Sequence, residues 1–165
     1  MPLHQIDLPS PCTDEQYQAI MDEALVTLKA QYDLSHMAFG DLHLEDIHDY
    51  RLAQMKQSGL KTLFPLWKSD SWKLARDMID AGLKGILSCV DSRQLDGNFS
   101  GRYFDTQFLK DLPTMVDPCG ENGEFHILVI DGPMFNHAIK VELGDTTDSD
   151  DLVFTDVKSG ALSFP

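Results

Sequence analysis

The chain reads as an α/β protein, with strand–helix–strand units that build a parallel sheet and a smaller α+β lobe after them. Three observations predict this. Residues 13–28 carry a capped amphipathic helix, residues 61–90 alternate strand, helix and strand, and beyond Asp91 the texture turns to Gly, Asn, Ser and Asp. A strand–helix–strand run with a short helix is the unit from which parallel sheets grow.

Taken in order, residues 3–8 alternate apolar and polar and are closed by Pro9 and Pro11, which predicts a short strand. Thr13 and Gln16 have capping-box spacing, and Asp14 and Glu15 favour the positive end of the helix dipole. Tyr17, Ile20, Met21, Ala24, Leu25 and Leu28 then recur at i, i+3, i+4, i+7. Residues 36–42 read as strand and turn, and residues 44–57 as a helix ended by Gly59. Residues 61–67 form the next strand. Asp70 or Ser71 caps a helix that Gly82 stops, with Trp72, Ala75, Met78 and Ile79 as its buried face. Residues 84–90 complete the parallel unit. A short helix over residues 105–112 and strands at 125–130, 139–143 and 152–157 make the second lobe. The acidic run 145–151 reads as a solvated loop. The boundary falls at Asp91, dividing the chain into residues 1–91 and 92–165.

Composition narrows the function classes. With 13 Lys and Arg against 27 Asp and Glu, the formal charge is −14, which disfavours a protein that grips nucleic acid through its phosphates. A nucleotide is still allowed, because backbone amides and a metal ion can hold its phosphates. The three cysteines, Cys12, Cys89 and Cys119, form no CxxC pair and read as reduced thiols. The sequence shows no basic leader and no long apolar span, so a cytoplasmic protein with no membrane contact is expected.

The most informative segment is Cys119-Gly120-Glu121-Asn122-Gly123-Glu124-Phe125-His126. Gly120 and Gly123 permit positive φ and close backbone approach to a ligand. Glu121, Asn122, Glu124 and His126 supply acceptors, donors and an imidazole, the side chain suited to proton transfer near neutral pH. Strand alternation sends Glu124 and His126 to one face and Phe125 to the other. The bland reading is an ordinary solvated Asn-Gly turn. A second constellation is Phe39-Gly40-Asp41, a loop after a strand, where open α/β sheets bind ligands. Arg51 lies on the apolar stripe of Leu44, Ile47 and Met55, either reaching a carboxylate or ligand or packing its stem. A third is Asp91, Ser92, Arg93, Gln94 and Leu95 with Gly101 and Arg102, its two arginines able to hold an anion or to offset neighbouring aspartates. The carboxylates and histidines of residues 41–49 are explained by a wet first helical turn, and no dedicated metal site is expected.

The string VDPCGENGEFH…DGPMF, together with AFGDLHLEDIHDYR, LFPLW and CVDSRQLDGNFSGRYFD, resembles the diphthine–ammonia ligase family, the N-type ATP pyrophosphatases, in its bacterial branch. The resemblance runs over residues 1–139. It implies an incomplete parallel, Rossmann-like (HUP) nucleotide-binding sheet with helices on its faces, followed by an acceptor-binding lobe. It also implies ATP with Mg²⁺ as cofactor, an acyl-adenylate, and an unknown carboxylate acceptor that ammonia converts to an amide. In that reading Glu121, Glu124 and His126 are catalytic and Gly40 and Asp41 border the nucleotide. Arg51, Asp91, Arg93, Gly101, Arg102, Gly120, Asn122 and Gly123 bind substrate. Two departures stand out. Ile127 replaces the Thr that follows EFH in the family, and the family's SGGxDS phosphate loop occurs nowhere in the 165 residues. Alone, the chain is expected not to turn over ATP. The alternatives are a non-catalytic binding or assembly module, with homo-oligomer formation, and an adenosine nucleotide hydrolase when completed.

Overall fold

In a computed structural model, which describes residues 2–160, the chain divides by its contacts into two units, residues 1–67 and 68–165. Helices and strands mix in both, so the α/β class stands. Among the described residues, no helix is long and apolar enough to cross a membrane.

The first unit comprises α1 (Asp14–Tyr32), β1 (His36–Ala38), α2 (Glu45–Ser58) and β2 (Lys61–Leu63). The Thr13 side chain accepts from Gln16 N–H, and the Gln16 side chain accepts from Thr13 N–H, which completes the predicted capping box. β1 and β2 pair in parallel, His36 opposite Lys61 and Ala38 opposite Leu63, with α2 as the crossover. Leu25, Met55 and Leu60 form the core, with Leu34, Met37 and Phe39 packed against them. Residues 3–8 form no strand. Pro2 and Pro9 bracket the stretch, Leu3 is 90% exposed, and an alternating segment without a ladder partner has nothing to hold it extended as sheet.

The second unit holds α3 (Ser71–Asp80), β3 (Lys84–Asp91), a 3₁₀ turn at Gly97–Phe99, α4 (Thr106–Asp111), β4 (Phe125–Asp131), β5 (Val141–Ser149) and β6 (Leu152–Ser159). Its sheet order is β4-β3-β6-β5, antiparallel throughout. This corrects two expectations. β3 does not close a parallel unit with β2; it hydrogen-bonds to β4 and β6. For the same reason the division falls after Trp67 and not after Asp91, because β3 is a central strand of the second sheet. The acidic run is likewise no loop. β5 and β6 form a hairpin through it, turned by Asp150 and Asp151 at φ 50° and 70°, the left-handed region that Asp tolerates better than most residues.

Helices cover one face of this sheet. Leu87, Val90, Phe125 and Ile127 meet Ala75, Trp72 and Met78 of α3 and the aromatic side of α4. Phe108 is fully buried, its ring centroid 5.5 Å from those of both Phe104 and Phe125. Burying such a ring contributes about 2–3 kcal/mol. Asp70 caps α3 through Lys73 N–H, and Asp105 caps α4 through Phe108 N–H.

Candidate functional site

Two loops at one end of the second sheet meet around buried carboxylates. The first leaves β3 at Asp91, which is 4% exposed. Its Oδ1 accepts from Arg93 N–H (3.0 Å) and Nε (2.8 Å), and its Oδ2 from Arg93 Nη2 (2.6 Å) and Gln94 Nε2 (3.1 Å). These donors, the Arg93 guanidinium foremost, hold the Asp91 carboxyl far below the usual carboxylate range and outweigh its desolvation. Arg93 is thereby fixed by Nε and Nη2, while its side chain stays largely exposed.

The second loop is the signature segment. Glu124 is 3% exposed, and its carboxylate gathers the turn around itself. Oε1 accepts from Asp117 N–H (3.0 Å) and Asn122 Nδ2 (2.9 Å), and Oε2 from Asn122 N–H (2.9 Å). Burial alone pushes this carboxyl up, but the Asn122 side chain and the backbone donors together outweigh burial, and the net shift is downward. Asp117 Oδ1 accepts from Cys119 N–H at 2.7 Å and starts the turn. Gly120 takes φ 69°, and a Cβ there would lie 2.8 Å from the Phe125 carbonyl oxygen. Only glycine fits that combination of dihedral and contact.

The loops are joined. Asp91 N–H donates to the Glu124 carbonyl at 2.9 Å, and Gln94 Nε2 reaches the Asn122 carbonyl at 3.5 Å. The structure therefore brings Asp91, Arg93, Gln94, Gly120, Asn122, Gly123 and Glu124 together, and adds Asp117, which the sequence reading did not single out. Its signal was the Asx-turn spacing Asp117 to Cys119.

His126 departs from the expected pairing with Glu124. Glu124 precedes β4 and turns into the loop, whereas His126 is exposed on the sheet face opposite the helices, level with Cys89 on β3, Phe154 on β6 and Thr147 on β5. Glu121 is half-buried beside Cys119. Burial, aided by Asp117 and Glu121, pushes the Cys119 thiol up to about 12, which removes it as a thiolate nucleophile. Gly101 and Arg102 serve elsewhere. Gly101 N–H and the Arg102 carbonyl pair with Leu87, and the Arg102 guanidinium meets Asp111 at 2.6 Å and lies over Phe99.

In the first unit, Gly40 and Asp41 follow β1 at its carboxyl end. Asp41 caps no helix, since Leu44 is the N-cap of α2, and its Oδ2 is buried without a hydrogen-bond partner. Among the described residues Arg51 pairs with no carboxylate; its Nη1 donates to Tyr17 Oη at 3.1 Å and its guanidinium lies 5.1 Å from the Phe39 ring. Among the described residues, no three His, Cys, Asp or Glu side chains gather as a metal site would need.

The diphthine--ammonia ligase of Schizosaccharomyces pombe is 36% identical over 88 residues, which cover 51% of this chain and 14% of that protein. The chain thus spans about a seventh of the length of the curated relative it matches. A family model described as the diphthamide synthase C-terminal domain matches residues 70–162, more than half of the sequence and nearly the whole second unit. The chain belongs to the diphthamide synthase C-terminal domain family.

Proposed function

We propose that this chain supplies the acceptor-recognising part of an ATP-dependent ligase of the diphthine–ammonia type, in which a carboxylate is activated as an acyl-adenylate and aminated. One observation carries the reading: the Asp91–Arg93–Gln94 loop and the 117–124 loop are each gathered around a buried, hydrogen-bonded carboxylate and are joined by the Asp91 N–H to the Glu124 carbonyl. Such rigidity suits recognition of a fixed ligand. The Asp91 clasp takes Nε and Nη2 of Arg93 and leaves Nη1 outside it, so Arg93 is oriented toward a carboxylate acceptor. Asn122 and the glycine-flanked backbone line the same loop. Glu124 is a positioning residue here, because a carboxylate held ionised by three donors is a poor general base. Proton transfer then falls to Glu121 or His126.

ATP with Mg²⁺ is the cofactor this reading requires. Gly40, where an added Cβ would meet nothing within 4 Å, and the unpartnered Asp41 Oδ2 fit the edge of a nucleotide site. The phosphates lack their usual cradle in this sequence, where neither SGGxDS nor a P-loop string occurs. In this reading phosphate handling belongs to a segment other than these 165 residues.

Two measurements test the proposal. In ¹H–¹⁵N spectra of the chain, titration with a panel of small carboxylates (acetate, hippurate, imidazole-4-propionate) is expected to shift Arg93 Nε, Asn122 and Gly123, and Arg93→Lys is expected to abolish the effect. A panel that leaves these signals unmoved overturns the acceptor role. Calorimetry with ATP–Mg²⁺ is expected to be silent, and micromolar binding would overturn the division of labour. The same missing phosphate loop favours a second reading, a binding module without chemistry; amide formation by the chain with an added nucleotide-binding partner would exclude it.

A further inference from the structure

The turn of the β5–β6 hairpin is fastened to the loop that presents Arg93. Ser92 N–H and Ser92 Oγ both donate to the Asp151 carbonyl, at 2.8 and 2.9 Å, next to the point where Asp91 is paired with Leu152. Asp150 and Asp151 keep their left-handed dihedrals, φ 50° and 70°, under that clasp. With its backbone so fixed, the Asp151 carboxylate stands beside the guanidinium. Its Oδ2 lies 4.0 Å from Arg93 Nε, and both side chains stay largely exposed. As a stabilising pair this contact is worth little. Its effect is on a ligand, because it sets a negative charge on the rim from which Arg93 is reached.

Charge at that rim is one-sided. Residues 91–94, 117–124 and 150–151 carry a single Lys or Arg, Arg93, against six Asp and Glu. The Asp91 carboxylate already offsets the guanidinium through Nε and Nη2, and Asp151 adds a second negative charge beside the same Nε. A ligand with one carboxylate can still take the hydrogen bonds of Nη1 and turn an uncharged remainder toward the turn. A second negative charge on the ligand finds no second cation in these loops and meets Asp151. We infer that Asp151 is a specificity-determining residue, which restricts the acceptor to singly charged carboxylates and turns away dicarboxylates and phosphate esters. The inference rests on the acceptor reading of Arg93 and narrows its substrate class.

The test titrates the 165-residue chain with propionate and with succinate at about pH 7.5 and constant ionic strength, following Arg93 Nε in ¹H–¹⁵N spectra. The native protein is expected to bind propionate more tightly than succinate. Asp151→Asn removes the charge and keeps a residue suited to positive φ. It is expected to strengthen succinate binding about threefold more than propionate binding, the effect of one unit charge about 6 Å away in water. Asp151→Glu, which restores the charge, is expected to keep the native preference. Arg93 signals that move with the same propionate-to-succinate ratio in the native and Asp151→Asn proteins would overturn this inference alone, as would loss of the preference in Asp151→Glu. Arg93 signals unmoved by either ligand, in native protein and variant alike, would overturn the acceptor reading and this inference with it.

Discussion

Replacing Glu124 by Gln tests whether the signature loop is organised by a buried charge. The substitution keeps shape and volume but turns one acceptor oxygen into an NH₂ group. Whichever way the new amide settles, a donor faces a donor, either at Asn122 N–H or at the pair formed by Asp117 N–H and Asn122 Nδ2. Asn122 is exposed and can turn to water, but Asp117 is half-buried and its N–H donates to Glu124 Oε1. Loss of the charge-assisted bonds and of one buried partner should cost about 1–3 kcal/mol. Urea denaturation followed by Trp72, which packs on the second unit's core, reads this directly in a Trp67→Phe background. Amide exchange at Asp117 and Asn122 should accelerate by about ten- to a hundredfold. The sign with pH follows from the downward shift. Because the folded carboxyl titrates below its unfolded value of about 4.3, its contribution is complete above that pH and disappears as pH falls through the lower, folded value. The gap between the native protein and Glu124→Gln should therefore be wide at pH 7 and narrow toward pH 2. Equal stabilities at pH 7, or a gap that widens in acid, would refute the reasoning.

Other expectations can be measured alongside. Gly120→Ala should destabilise the second unit by about 2–4 kcal/mol, since left-handed strain of about 1–2 kcal/mol adds to a Cβ pressed on a backbone carbonyl. Gly123→Ala, with open space around the same kind of dihedral, should cost only the strain, and a larger loss there than at Gly120 would contradict the geometry. Thiol titration at pH 8 should leave Cys89 and Cys119 unmodified until the protein unfolds, as burial raises both thiols; rapid labelling of Cys119 would disprove its buried setting. Arg102→Met should release Asp111, whose carboxyl the Arg102 guanidinium chiefly lowers, and should shift the Asp111 titration seen by NMR upward toward its unperturbed value.

Local signals were legible where one residue dictates one contact. Thr13, Asp70 and Asp105 cap the helices they were expected to start or flank, and Ala75 sits where the 3.6-residue rhythm put it. Strand direction was not legible. The run Lys84–Asp91 sets Ile86, Leu87, Cys89 and Val90 without strict alternation, which suits a buried parallel strand, and also a central antiparallel strand buried along nearly its whole length. The hairpin at residues 141–159 was hidden for a different reason. As the edge strand, β5 is exposed along most of its length, so Asp and Thr stand where a period of two would otherwise have shown apolar residues. At the site, the glycines and carboxylates of residues 119–126 were readable as a turn before a strand. The inward turn of Glu124 was not, because the donors that draw it in, Asp117 N–H among them, lie up to seven residues away.

That inward turn makes a stronger claim testable, namely that two loops act as one body. Glu124 organises residues 117–124 through its side chain, while its carbonyl accepts the N–H of Asp91, whose own carboxylate organises residues 91–94. Gln94 closes the circuit, donating both to Asp91 Oδ2 and to the Asn122 carbonyl. Residues sharing such a network do not contribute independently. Glu124→Gln and Gln94→Ala, combined, should therefore shift the urea midpoint by less than the sum of the two single shifts, because either change alone already loosens the Asn122 turn that the other holds. Strict additivity would mean that the 3.5 Å contact from Gln94 transmits nothing, and that Arg93 is presented by its own loop alone. A shortfall would mean that the loop presenting Arg93 and the loop organised by Glu124 are held as one unit.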